Sequence, residues 1–337
     1  MIKRRRNTLK SLARATASFA FFLLALSTTA SADTWPSHYL TLVVPFGAGS
    51  GTDMIARIVS ARASEILGQR IIVEDVGGAG GTIAVGRVAK ATPDGYEFII
   101  GAVDTFAQSQ YLFENPPADT MNDFEPIALA VEEPLVLVTR TALGVSNLKE
   151  FVAYLKAHQT EMRFGSAGIG AAPYLACAMI TRAVGAKTTH VPYRAAAPAI
   201  HDMIGGDIDY YCPLAVSAVP FMKDSGLKML AVLTADRSPI FPDLPTAREQ
   251  GVDMADGYYW NAFFAPKGTP PEIINKLNAA ISAALDDKKV QSQLLELAAT
   301  VVPADQRTPE YLRNYLKEEI SKWSHIMAEN SVPRQTR

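Results

Sequence analysis

"VPFGAGSGTDMIAR", Val44 to Arg57, sets three glycines (Gly47, Gly49 and Gly51) at alternate positions between an apolar run and an amphipathic one. The run ahead of it, "YLTLVVP" (Tyr39 to Pro45), is rich in β-branched residues and reads as a strand. Behind it, from Thr52 on, Ile55, Ile58, Val59, Ile66 and Leu67 fall on one helical face, and Gly68 follows as a stop. Strand, glycine loop and helix therefore meet at one junction. The first amides of such a helix lack intrahelical acceptors and stand at the positive end of its dipole, which suits them to an anion.

The same grammar recurs. "RIIVEDV" (Arg70 to Val76) reads as a second strand, "GGAGG" (Gly77 to Gly81) as a second glycine loop, and Thr82 to Lys90 as a helix. After the turn Pro93-Asp94-Gly95, "YEFIIGA" (Tyr96 to Ala102) makes a third strand that delivers Asp104 and Thr105. A second block begins near Glu133, with "PLVLVTR" as a strand and Asn147 to His158 as a helix; Met162 to Gly185 then repeats strand, glycine-rich loop (Gly165 to Ala172) and helix. Thr189 to Arg194, Asp207 to Leu214 and Leu227 to Thr234 supply further strands. Past "YYWNAFFAPKGTPPE" the chain reads as helical to its end, opened by a capping box of Thr269 and Glu272 around Pro270 and Pro271, with Ile273, Ile274, Leu277 and Ile281 on one face. Alternating strands and helices predict an α/β fold with largely parallel sheets, and glycine loops at strand ends are where such sheets bind ligands.

The amino terminus decides which chemistry is available. Lys3, Arg4, Arg5, Arg6, Lys10 and Arg14 precede a short apolar stretch, Phe19 to Leu26, and Ala30-Ser31-Ala32 offers a cleavage site, so residues 1–32 read as a secretory signal peptide. Arg5-Arg6 with Leu9-Lys10 leaves open a twin-arginine route, although Thr8 stands where an aromatic is usual. Removing that leader from 337 residues leaves about 305, a length that favours two domains. The leader holds six of the 32 basic residues and no acid, so the mature chain carries a net charge of about −8 and is a poor partner for nucleic acid or an anionic membrane surface. Only two cysteines occur, Cys177 and Cys212, and in an exported protein they either pair or stay as buried thiols.

What the loops lack narrows the ligand. None has the lysine of a phosphate-binding P-loop, and Thr52 occupies the third glycine position of a dinucleotide fingerprint in which Glu74 and Asp75 would be the ribose acids. Neither Ser50 nor Ser166 sits in G-x-S-x-G, and His38, His158, His190, His201 and His325 show no metal-ligand spacing. A carboxylate bound without chemistry fits best, with Ser50, Thr52 and Ser166 adding hydroxyls. No cofactor and no metal is expected.

"YLTLVVPFGAGSGTDMIAR", "LGQRIIVEDVGGAGGTIAVGRVAKATPDGYEFIIG", "NDFEPIALA", "FGSAGIGAAPYLA", "HVPYRAAAPAIHDMIGGDID", "LAVLTADRSPIFPDLPTAREQG" and "APKGTPPEIINKLNAAI", in this order and spacing, resemble the extracytoplasmic substrate-binding proteins of tripartite tricarboxylate transporters, the Bug or TctC family. The resemblance covers nearly the whole mature chain. It implies a type II periplasmic-binding-protein fold, in which two α/β lobes joined by two crossovers close on a ligand like a flytrap. Lobe one would be 33–132 plus 261–337, and lobe two 133–260. It further implies a periplasmic, monomeric protein that delivers a small organic acid to membrane permease subunits.

Carried over motif by motif, the first-lobe contacts fall on Phe46, Gly47, Ala48, Gly49, Ser50, Gly51, Thr52 and Asp53, and on Asp104 and Thr105. Those of the second lobe fall on Ser166, Ala167, Gly168, Gly170, Ala171 and Ala172, then on Tyr193 and Arg194, and on Cys212, Pro213 and Leu214. Asp53 opens a helix and also reads as dipole complementation; Arg194 reads either as a bidentate partner for a second carboxylate or as a surface arginine. The family often has an acidic residue near Pro213, and a serine-glycine-threonine-like stretch where this chain has "AVDTFAQ". Loss of the first removes a partner for an amine, and Asp104 introduces one elsewhere. Tyr193, Tyr258, Tyr259 and Trp260 either wall an extended or aromatic ligand or pack the hinge. An exported sensor and an exported dinucleotide-dependent oxidoreductase are the alternative functions.

Overall fold

The computed structural model describes residues 35–223, 225–238, 240–253, 258–329 and 334. The signal peptide and its cleavage point lie outside them. The chain divides into Met1–Ser37 and a compact unit, His38–Arg337. In the former, Trp35 and Pro36 are joined by a cis peptide bond. Among the described residues no helix is long and apolar enough to cross a membrane.

The first glycine junction folds as its pattern predicts. Strand β1 (Leu40–Val44) leads to helix α1 (Gly51–Leu67), which Ser50 caps and Gly68, at φ 69°, ends in the left-handed region. Helix α1 buries Ile55, Val59 and Ala63, while Ile66, counted on that face in the sequence, stays exposed at 40%. Next come β2 (Ile71–Asp75), α2 (Thr82–Val88), β3 (Glu97–Ala102), a π-helical turn (Val103–Gln108), α3 (Ser109–Leu112) and β4 (Phe124–Pro134). The second block holds β5 (Val136–Arg140), α4 (Leu148–Ala157), β6 (Arg163–Ser166), α5 (Ala172–Ala183), β7 (Thr189–Pro192), α6 (Ala196–Gly205), β8 (Tyr210–Tyr211), α7 (Ala215–Ala218) and β9 (Leu227–Val232). The chain closes with β10 (Tyr258–Pro266), α8 (Pro271–Asp286), α9 (Lys288–Glu296), β11 (Thr300–Val301) and α10 (Pro309–Glu329).

Two sheets result, of order β11-β4-β10-β3-β1-β2 and β7-β6-β8-β5-β9. Each is mixed rather than largely parallel. In the first, β1 pairs in parallel with β2 and β3, but β10 runs antiparallel to β3 and β4; in the second, β6 is parallel to β7 and β8, and β5 antiparallel to β8 and β9. The reversals follow from the connections between the sheets. Strand β4 leaves the first sheet at Pro134 and, after Leu135 alone, continues as β5 of the second. Strand β10 returns beside β4, pairing from Tyr258 opposite Pro134 to Pro266 opposite Phe124. The stretch read as the prelude to a helical tail is therefore the second crossing strand.

Packing under the first sheet is aromatic. The Phe106 ring stacks on Phe264 at 4.0 Å between centroids and meets Phe124 at 4.9 Å, in space that Gly101 leaves free of a side chain. The expected capping box does not form: Pro270 takes the cap position of α8, and Thr269 Oγ1 donates to the Pro266 carbonyl at 2.8 Å instead. Cys177 and Cys212 are joined in a disulfide, tying α5 to the residue after β8.

Candidate functional site

The first glycine loop folds on itself before it meets anything else. Asp53 N donates to Ser50 Oγ at 3.2 Å, and Gly49 N donates to the Asp53 carboxylate at 2.8 Å. Asp53 also pairs with Arg57 at 2.6 Å, and Arg57 reaches on to Asp75 at 2.7 Å. Asp53 thus braces the loop, while the N–H groups of Gly51 and Thr52 keep no acceptor within their own helix.

The glycines also bring the two sheets' loops together. Gly47 N donates to the Arg194 carbonyl at 3.3 Å, and a Cβ on Gly47 would stand 3.2 Å from that of Ala195. A Cβ on Gly51 would overlap Val216; one on Gly80, at φ 63°, would run into the Ile169 carbonyl. Any side chain there would hold the two halves apart.

Between them lies a cavity of about 20 Å³, room for one water molecule. Phe46, Ser50, Gly51 and Thr52 line it from the first junction, and Asp104 and Tyr259 from the neighbouring strand ends. Ala167 and Ala171 from the glycine loop of the second sheet, and Pro173 from the first turn of α5, face them, and Ala196, Tyr211, Leu214 and Ser217 close it. No lysine, arginine or histidine is among these residues. Tyr211 is wholly buried, yet its hydroxyl has no hydrogen-bond partner among the described residues.

Asp104 joins both halves. Its Oδ1 accepts from Thr105 N at 2.7 Å and from the Tyr259 hydroxyl at 3.0 Å; its Oδ2 accepts from Ala172 N, the first residue of α5, at 3.2 Å. Burial raises its pKa to about 7, against the pull of these hydrogen bonds. Glu133 accepts from Asn261 Nδ2 at 3.0 Å and is pushed up to about 8, chiefly by burial, with the Asp104 charge adding to it. Burial first and both acids next hold the Tyr259 phenol well above its ordinary value.

The remaining expected contacts stand behind this lining. Thr105 is buried and exchanges hydrogen bonds with the Ala102 backbone. Ser166 Oγ lies 2.6 Å from His190 Nε2 and accepts from Gly168 N at 3.0 Å; burial lowers the His190 pKa to about 4. Gly168 and Gly170 take positive φ, 109° and 99°, in the turn that delivers Ala171 and Ala172. The Tyr193 hydroxyl donates to Asp202 at 2.7 Å, and the Arg194 side chain is exposed while its carbonyl faces Gly47. Ala48 is exposed; Cys212 is committed to the disulfide, and the Pro213 carbonyl accepts from Val136 N at 2.9 Å. Trp260 donates to Glu319 at 3.0 Å, inside the packing. Pro173 and Ala196 stand inside quoted family stretches and Tyr211 in an expected strand, but nothing in the sequence singled out these three or Ser217 as lining residues. They reach the cavity only through tertiary packing.

This arrangement has close relatives. Residues 55–332 match the tripartite tricarboxylate transporter family receptor, TctC. The chain is similar to MatC from Rhodopseudomonas palustris, solved with bound malate, at 38% identity and TM-score 0.83 over 87% of this chain and 99% of that one. It is likewise similar to the periplasmic binding protein BugD, at 34% identity and TM-score 0.86 over 89% of this chain and 100% of that one. A third, from R. palustris with adipate, matches at 30% identity and TM-score 0.84, over 89% of this chain and 100% of that one. With its family match covering most of its length and its two mixed sheets matching those folds, the chain belongs to the Bug/TctC family of periplasmic solute-binding receptors.

Proposed function

We propose that this protein is a periplasmic receptor, without enzymatic activity, that captures a small organic acid between two lobes and presents it to the permease subunits of a tripartite transporter. Lobe one is taken as 33–132 with 261–337, and lobe two as 133–260. The carrying observation is the cavity itself, lined by glycine loops and helix starts from both of the halves that β4 and β10 connect. A four-carbon acid needs several times the volume of one water, so the halves must part to admit it and can meet again only around it. Malate in MatC and adipate in the second R. palustris protein support a carboxylate as the ligand class. The family relationship supports a tripartite permease as the recipient.

Refolded mature protein, stripped of carried-over ligand, is to be screened by thermal shift against mono-, di- and tricarboxylates, amino acids and NAD. A ligand at 100 times its dissociation constant stabilises the fold by about 2.7 kcal/mol, a shift of a few degrees at this size. Response to one class of acid supports the receptor; response to NAD alone would replace it with a dinucleotide enzyme.

A further inference from the structure

Two helix N-termini face the cavity, and they are not equivalent. At α1, a helix of 17 residues, the cap is the neutral hydroxyl of Ser50, and Gly51 and Thr52 line the cavity. The carboxylate nearest that end, Asp53, is turned to Gly49 N and matched by Arg57. At α5, a helix of 12 residues, Ala171 offers no side-chain cap, and the amide of Ala172 is taken by Asp104 from the opposite half. One anion position is therefore open to a ligand, and the other is already filled by a carboxylate of the protein.

Asp104 has not exhausted its capacity. Three donors occupy a carboxylate with about four lone-pair sites, leaving one acceptor position on Oδ2. The buried Tyr211 hydroxyl lines the same cavity without a partner. Among the described residues, no cation lines the space to neutralise a second ligand carboxylate beside Asp104.

Resting on the receptor reading above, we infer that Asp104 is a specificity-determining residue that restricts the ligand to a monocarboxylate whose far end is a hydrogen-bond donor, a hydroxyl or an ammonium. The ligand carboxylate docks at the Gly51 and Thr52 amides. Its donor end meets Asp104 Oδ2 and Tyr211, and a dicarboxylate is disfavoured because its second carboxylate meets an acceptor that, once ionised, is a like charge with little water to screen it.

Two length-matched series test this by calorimetry on the refolded mature protein. The four-carbon set is succinate, 4-hydroxybutyrate, 4-aminobutyrate and butyrate; the six-carbon set is adipate, 6-hydroxyhexanoate, 6-aminohexanoate and hexanoate. Within at least one set, a donor-ended acid should bind ten-fold or more tighter than both the dicarboxylate and the methyl-ended acid. Asp104→Asn should shrink the preference over the dicarboxylate at least ten-fold, and Tyr211→Phe should weaken the donor-ended acids several-fold. Succinate or adipate binding the unaltered protein as tightly as its donor-ended counterpart overturns the inference and leaves the receptor standing. Binding of none of the eight acids overturns the inference, and the wider thermal-shift screen then decides the receptor reading separately. Because the unaltered protein decides, a variant that fails to fold does not block the test.

Discussion

Asp104 and Ala172 lie 68 positions apart in sequence, one in the turn after β3 of the first sheet and the other in the helix after β6 of the second, yet Asp104 Oδ2 accepts the Ala172 amide at 3.2 Å. This one side chain also accepts from Tyr259 and Thr105, so its loss leaves three buried donors without an acceptor. Each buried donor left unpaired costs about 1–3 kcal/mol, partly relieved by water entering the gap. Asp104→Ala should therefore lower the unfolding free energy by about 2–4 kcal/mol. Urea titration of the variant against the parent measures it, and a change below about 0.5 kcal/mol would show that the Asp104 contacts contribute little.

The paired acids predict a pH dependence opposite to that of an ordinary surface carboxylate. Asp104 and Glu133 titrate near 7 and 8 in the folded chain, against about 4 when unfolded. Between these values the folded state binds more protons than the unfolded one. Their contribution is fully present below about pH 4 and is lost as pH rises through 7 and 8, by at most about 1.4 kcal/mol per pH unit for each proton. Tyr259, the third titratable group facing them, stays protonated throughout this window. Glu133→Gln should flatten the decline in urea midpoint between pH 5 and 8 relative to the parent. Superimposable profiles would place the Glu133 proton elsewhere.

The disulfide closes a loop of 35 residues, and constraint of the unfolded chain at that length is worth about 3–4 kcal/mol. A Cys177→Ala, Cys212→Ala double variant should lose at least that much. Because the bond leaves no free thiol, the parent should resist thiol-reactive labels even when unfolded, until a reductant is added. Labelling of the unfolded, unreduced protein would count against the bond.

Gly51 occupies an ordinary helical position, so alanine there costs nothing in backbone conformation, but its Cβ would strike Val216 and press on Leu214 and Ser217 of the facing half. Gly51→Ala should weaken binding of whichever acid is identified by ten-fold or more, while urea stability changes by less than about 1 kcal/mol. X-ray scattering should then show no contraction on adding that acid at concentrations that compact the parent. Equal affinity in the two proteins would remove Gly51 from the contact between the halves.

Much of the fold was legible because its determinants are local. Tyr39 to Gly68 carries strand propensity, glycines, a serine cap, a helical apolar face and a stop within one short segment, and each acts on its immediate neighbours. The crossing strands were not legible from local pattern, although the family resemblance implied two crossovers near them. "FEPIALAVEEP" contains two prolines and three glutamates, and "YYWNAFFAP" has no alternation; their pairing across 124 positions, Tyr258 opposite Pro134, makes them strands. Thr269 shows one local signal losing to another, its hydroxyl taken by the Pro266 carbonyl three residues earlier while Pro270 holds the cap position.

The sequence by itself determined an α/β chain with glycine-lined helix starts, no P-loop lysine and an acidic mature charge, because strand and helix periods, turn residues and charge are properties of neighbouring residues. Tertiary structure alone decided that Asp104 would cap the helix of the opposite half, that Tyr259 would come to it from 155 positions away, and that Tyr211 would face the cavity with its hydroxyl unpaired. Those relationships depend on how two sheets are hung on β4 and β10. No local period encodes the distance between side chains that only the packed halves bring together.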